Sequence, residues 1–351
     1  MLYKTTFAVI TTMLLAAPLA AGTSTRQIET DDVRLDVHFN AGIRHDGQGG
    51  PWLSWLADMV EAVRSVTGAY PLPEVVIRLD ASHRARDAIA FGQVRRSSPP
   101  EIRFYVDPRA SAADLAGDWR GYHEFAHLMI PFPGNNDIWF SEGFASYYQY
   151  LLQARAGAIT PEQAWQELHK GFERGLSDRA GRGQTLRNLS PRMWAERAYR
   201  RVYWTGAAYF LRVDTRLRTE SDGEYSLDRV IAEFQHCCRE SERRWSAEQL
   251  IETLGALSLP SVWREEYQAM IDQPAEPRFE SAYRRLGLNV DKGRIRFADR
   301  PDASALRLTL MQAAKTAVGA YAHDHGDRDR TQTEDRAQKE DRMEASEPEQ
   351  R

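Results

Sequence analysis

Two histidines four positions apart, His123 and His127 in the segment HEFAH, constrain this chain more than any other feature. Residues four positions apart lie one above the other on a helix, so both imidazoles project from the same face. Phe125 and Ala126 between them are apolar, which favours a packed helix over a solvated one. A pair of neutral imidazoles on one face supplies two ligands of a tetrahedral zinc site, and a catalytic site of that kind leaves its fourth position to water. Glu124 sits one step round the helix from His123. That offset suits a general base, because a carboxylate bound to the metal could not accept a proton from the metal's water.

A third ligand has to come from elsewhere in the chain. Pro131, Pro133, Gly134 and Asn135 form a segment able to reverse the backbone, and IWFSEGFASYY after it reads as a second, aromatic helix. The reversal lays the early residues of that helix beside the histidines. Glu142 has the reach to join them, whereas Asp137 falls nearer the turn. The metal set is therefore His123, His127 and Glu142, holding one Zn2+ per chain. Two readings compete with a catalytic site. One is a pair of buried histidines satisfied by their neighbours. The other is a closed structural zinc, which would need a fourth His or Cys, and none is suitably placed.

The rest of the chain divides into layers and gives an α+β fold. VRLDVHF (33 to 39), EVVIRLD (74 to 80) and EIRFYVD (101 to 107) are candidate strands, and PWLSWLADMVEAVRSVTG (51 to 68) carries a helical apolar stripe closed by Gly68. Residues 28–110 thus form a small N-terminal α/β layer. From Ser111 and Asp114, an N-cap with its acidic partner, the pattern turns helical, and one helix is expected to run as far as Pro131. The second helix ends near Gly157. Thr160, Pro161 and Gln163 start a third. WAERAYRRVYWTGAAYFLRVDTRLR (194 to 218) reads as one long helix, and Ser226 and Ser246 open two more. Residues 111–286 are the helical domain. Beyond it, 287–319 form an extension in which RIRFADR and LRLTLM are expected as short strands, and 320–351 form a charged tail with little to bury, expected to be disordered. His323 and His325 in that tail are read as solvated.

With 351 residues and 42% hydrophobic content the chain can build a substantial core, and its formal charge of -4 gives no bulk attraction to nucleic acid. Residues 1–21 combine Lys4, an apolar run from Phe7 to Leu19 and small residues near Ala20 to Gly22, the pattern of a cleaved export signal. The run is interrupted and short for a membrane span, so a periplasmic or secreted protein with no membrane association after cleavage is expected. Cys237 and Cys238 are adjacent. A bond between them closes a strained small ring, so they read as two small residues on a buried helix face.

HEFAH followed by WFSEGFASYYQYLLQARAGAITPEQ resembles the gluzincin metallopeptidases, in particular the aminopeptidase N and glycyl aminopeptidase branches. The resemblance spans roughly residues 115 to 285. It implies a thermolysin-like zincin catalytic domain, zinc on His123, His127 and Glu142, Glu124 as the catalytic base, and a peptide or protein substrate. AYRRVYWTGAAYFL resembles the segment in which a tyrosine, three residues before a glycine, stabilises the transition state. Tyr203, with Gly206 following, is the match, and Tyr199 is an alternative. In the implied reaction Glu124 accepts a proton from the zinc-activated water, and Tyr203 donates to the developing oxyanion.

Two departures from that pattern matter. The link between His127 and Glu142 is several residues shorter than in most aminopeptidases of this type. The strand motif Gly-x-Met-Glu-Asn, which captures a substrate's free amino group, is also missing: the chain reads AFGQVRRSSPPEIRFYV, where Gly92 and Glu101 occur without forming it. The choice between aminopeptidase and endopeptidase therefore stays open. Arg197, Arg200 and Arg201 read as a solvated helix face, and His169 as a surface residue. A catalytically inactive protein that holds peptides in the same groove is the alternative function, and loss of Glu124 would be its expected mark.

Overall fold

The computed structural model describes residues 23–40, 42–43, 50–239 and 243–312. The export signal, the charged tail and its two histidines lie outside the described residues.

Five strands make the N-terminal sheet: β1 (Ser24–Glu29), β2 (Arg34–Phe39), β3 (Glu74–Ala81), β4 (Ile89–Arg95) and β5 (Glu101–Val106). Their order is β1-β2-β3-β5-β4. The three central strands β2, β3 and β5 are the ones legible in the sequence, and they run parallel to one another. They alternate, burying Leu35, Val37, Phe39, Val75, Ile77, Leu79, Ile102, Phe104 and Val106 on one face while the other face is partly exposed and largely polar. The two antiparallel edges, β1 and β4, are additions. Their sequences are polar or interrupted: β4 exposes most of IAFGQVR, so periodicity gave no strand there.

The helices follow as α1 (Gly50–Thr67), α2 (Ala112–Gly117), α3 (Trp119–Ala126), α4 (Ile138–Arg155), α5 (Pro161–Ser177), α6 (Leu186–Leu189), α7 (Met193–Glu196), α8 (Tyr199–Glu220), α9 (Leu227–Cys237), α10 (Ala247–Ala256), α11 (Pro260–Ile271), α12 (Glu280–Leu286) and α13 (Pro301–Met311). A hairpin of β6 (Leu288–Asp291) and β7 (Arg294–Phe297) separates the last two. A mixed sheet thus leads into a mainly helical remainder. Helix α1 buries Trp52, Trp55, Leu56, Met59, Val60 and Val63 along the expected stripe. Trp55 packs edge-on to Phe104 of the sheet. On its other flank it meets α3 so closely that a Cβ on Gly121 would approach its ring to 2.7 Å.

Several expectations are corrected. The single helix from Ser111 to Pro131 is broken at Asp118, whose backbone is extended, and it passes into a 3-10 turn at His127–Met129. Asp118 stops α2 and starts α3, because its carboxylate accepts from the Arg120 amide at 3.0 Å and from the Ile89 amide of β4 at 2.9 Å. The start of α3 is thereby tied to the edge strand. The helix expected from Trp194 is interrupted at Arg197, which takes left-handed backbone angles (φ 56°) and separates α7 from α8. LRLTLM is helical rather than a strand, because it lies inside α13 with Pro301 at the first turn.

His169 is buried, not superficial, and its Nδ1 lies 3.2 Å from the Tyr283 hydroxyl. Arg201 is fully buried, with its guanidinium donating to the carbonyls of Asp178, Ala180 and Ala275. It is a bolt between loops rather than part of a solvated face. Cys237 and Cys238, at the end of α9, are joined by a disulfide and lie towards the surface rather than on a buried face.

The central contact is between α4 and α8, which cross at two glycines. A Cβ on Gly143 would fall 2.4 Å from the Gly206 Cα, and one on Gly206 would fall 2.3 Å from the Trp139 carbonyl oxygen. Only residues without a side chain permit that approach. At the far end of α4, Arg155 and Arg218 converge on the buried Asp228, Arg155 Nη2 reaching it at 2.8 Å. Tyr148 donates to the same carboxylate at 2.8 Å. Paired charges and a phenol offset the cost of burial that each group would carry alone.

Candidate metal centre and active site

The turn after His127 reverses the chain, and α4 returns alongside α3. As a result His123, His127 and Glu142 each bring one ligand atom to a common point, all within 4.8 Å of one another. Glu142 Oε2 lies 3.3 Å from His123 Nε2 and 3.6 Å from His127 Nε2. Ligand atoms about 2.0–2.2 Å from a tetrahedral ion are separated by roughly 3.3–3.5 Å, so these separations suit one zinc. Asp137 is not part of the group. Its carboxylate accepts from the Ala247 amide at 2.9 Å.

The far nitrogen of each ring is also engaged. His123 Nδ1 lies 2.9 Å from Gln149 Oε1, and His127 Nδ1 lies 3.0 Å from Ser141 Oγ. An amide oxygen can only accept, so the His123 proton sits on Nδ1, and its Nε2 turns a lone pair towards Glu142. A lone pair facing a carboxylate is unfavourable unless a cation lies between them, and two imidazoles with a carboxylate are a donor set that zinc prefers.

Protonation at His127 and Glu142 agrees with that donor set, whereas His123 is held above its ordinary value, burial lowering it and the Glu142 and Glu124 carboxylates outweighing that. Burial holds His127 down to about 4, so its ring is neutral near pH 7. Burial alone would raise Glu142, but the two histidines override it and hold the carboxyl well below the usual range. Neutral imidazole and ionised carboxylate are the forms in which these groups bind a metal.

Glu124 sits beside the triad, buried, beneath the edge strand. A Cβ on Gly92 of β4 would come 2.5 Å from the Glu124 Cγ, so the strand passes over the carboxylate at a distance that only glycine allows. Burial pushes this carboxyl up to about 7, against the opposing pull of His123 and Arg96. A carboxyl that titrates near neutrality can both take up and release a proton there.

Tyr203 also reaches the site. Its ring stacks parallel to that of His123 with centroids 6.2 Å apart. Burial raises the phenol well above its ordinary value, and the neighbouring Glu142 and Glu124 add to this, so it remains a donor. Beyond it opens a cavity of about 640 Å³ that borders His123 and is walled by Trp119, Tyr150, Tyr199, Arg200, Tyr203 and Trp204. Tyr199, the alternative to Tyr203, therefore lies on the cavity wall, and of the three arginines considered with it Arg200 alone faces this space. The sequence reading missed Ser141, Gln149 and Trp119. The first two carried a signal, as polar residues inside the otherwise buried aromatic stretch of α4.

The sequence pattern of the M61 glycyl aminopeptidase family matches residues 133–209, a span that contains Glu142 and Tyr203 and begins just after HEFAH. The chain is similar to gluzincin aminopeptidases. In fold it matches an aminopeptidase N family protein from Idiomarina loihiensis with a TM-score of 0.60 and 16% sequence identity, covering 77% of this chain and 50% of that one. An M1 zinc metallopeptidase from Deinococcus radiodurans, bound to a Tyr-Ser-Ala substrate, matches more distantly, with a TM-score of 0.48, 16% identity, and 74% and 54% of the two chains covered. The chain thus spans about half the length of these solved proteins. No curated protein matches it in sequence.

Proposed function

We propose that this chain is a zinc-dependent peptidase, exported to the periplasm or secreted, in which Glu124 is the general base. The observation that carries the reading is the convergence of His123, His127 and Glu142 with a buried, unligated glutamate beside them. The N-terminal apolar run supports export, and among the described residues no helix is long and apolar enough to cross a membrane. A thermolysin-like arrangement of the catalytic domain belongs to the same proposal.

His123, His127 and Glu142 would hold the ion, oriented by Gln149 and Ser141. When bound, zinc supplies Lewis acidity and lowers the pKa of water towards neutrality. Glu124 accepts the proton that the attacking water loses and then delivers it to the departing amine. Tyr203 donates its phenolic hydrogen to the carbonyl oxygen as negative charge gathers there, an interaction made mainly in the transition state. Gly92 keeps the strand close enough to shield Glu124 from bulk water. An inactive peptide-holding protein would have no need of a base held at this pKa.

Glu124→Gln tests the assignment. The variant should bind about one zinc per chain by metal analysis and lose roughly 100- to 10,000-fold in kcat on a mixed peptide library. Unchanged turnover would refute the assigned base.

A further inference from the structure

On the His127 side of the site two guanidinium groups lie together, neither held in an ion pair among the described residues. Arg96, just past the end of β4, donates from Nη1 to the His127 carbonyl at 3.2 Å and stacks over the Phe132 ring at 5.3 Å. It is close enough to Glu142 and Glu124 for all three charges to interact. Arg239, after α9, donates from Nη1 to the Leu128 carbonyl and to Gln235 Oε1, both at 2.9 Å. It in turn feels the charge of Arg96. Among the described residues neither arginine forms an ion pair. By contrast Arg95, the neighbour of Arg96, lies 3.6 Å from Glu101.

The clamped carbonyls explain part of this arrangement. They close the 3-10 turn that ends α3, and cations are favourable at a helix C-terminus. Gln235 does the same for the Met129 carbonyl with a neutral amide. A neutral clamp therefore serves that purpose, and the second charge costs mutual repulsion. Each arginine also commits only Nη1 to its carbonyl, leaving the rest of a fork whose geometry matches a carboxylate. Close by, the Tyr70 hydroxyl is buried, has no partner among the described residues and lies within the field of Arg239. It is a further unused donor.

Resting on the peptidase reading, the geometry points to Arg96 and Arg239 as a receptor for a carboxylate of the peptide substrate, placed beside the scissile bond. The enzyme then selects peptides that present an acidic group on the β4 side of the cleft, and it disfavours a free amine there. The carboxylate has two sources, an acidic side chain or the peptide's own C-terminus. Arg96 and Arg239 act on specificity, and the proton transfers remain with Glu124.

The test uses the full zinc-loaded chain and matched peptides: Glu against Gln on the N-terminal side of the cleaved bond, Glu against Gln on its C-terminal side, and free acid against amide at the C-terminus. Wild type should favour the charged member in one of the three pairs by roughly 10- to 100-fold in kcat/KM. That pair names the source. Arg96→Gln should collapse the ratio, chiefly through KM, Arg96→Lys should restore part of it, and Arg239→Gln should lower it independently if Arg96→Gln does not fold. Equal cleavage within all three pairs by wild type, or an equal loss for both members in the variants, overturns the receptor and leaves the peptidase standing. If wild type cleaves no peptide, the peptidase reading fails. Calorimetric titration with the same pairs then decides the arginines alone, and charge-independent binding overturns them.

Discussion

The His123 side of the metal site is walled by helices, with Trp119, Tyr150, Tyr203 and Trp204 lining a cavity of about 640 Å³. The His127 side is walled by an edge strand and a short turn, and its prominent groups are Gly92, Arg96 and Arg239. One flank offers aromatic surface and a phenol, the other backbone and positive charge. The contrast assigns different tasks to them. Under the proposed function the aromatic walls would accept apolar area and place a donor on the reacting oxygen, while the strand side would hold the base and set the charge that a substrate must bring.

Among substitutions that leave Glu124 itself in place, the largest effect should come from the helical flank. Tyr203→Phe removes one hydrogen bond and little volume, and kcat should fall roughly 100- to 1,000-fold, as for loss of one oxyanion donor, with KM nearly constant in steady-state assays. A loss confined to KM would make Tyr203 only a wall of the cavity and would erase the contrast.

Gly92→Ala probes the opposite flank. The added Cβ would lie 2.5 Å from Glu124 Cγ, so strand or carboxylate has to shift. Displacement on the order of 1 Å costs about 100-fold in turnover, while zinc content should stay at the wild-type level. Full activity would mean that β4 does not position the base.

The smallest effect compares the two imidazole supports. Gln149→Leu on the cavity side and Ser141→Ala on the other should each weaken zinc affinity by roughly 10- to 100-fold in competition with a chelator. Gln149 should show the larger loss, because an amide oxygen fixes the ring tautomer where a hydroxyl leaves it free. A larger loss for Ser141 would reverse the ranking of the two sides.

The helical flank was the legible one. His123, His127 and Glu142 follow from helical spacing and a Pro/Gly-rich reversal, both local properties of the chain. Thr160 and Ser246 announced their helices through capping boxes that the structure forms. The strand flank could not be read in this way. β4 is an edge strand with little to bury, and it is held in place by a distant carboxylate, Asp118, bonded to the Ile89 amide. That same residue breaks the helix expected to be continuous. Arg96 and Arg239 are 143 positions apart and meet only through tertiary packing. Arg201 misled for a related reason. Its helix places it inward, where three carbonyls await a cation, and no local pattern reveals them.

The crossing of α4 and α8 at Gly143 and Gly206 carries a consequence for how such a cleft can change. Glu142 immediately precedes one of these glycines and Tyr203 lies one turn before the other, so main chain touching main chain sets the gauge between them. In the proposed peptidase the jaw opening across the reacting carbonyl would be fixed by bare peptide, while the surrounding side chains could be exchanged to admit different substrates.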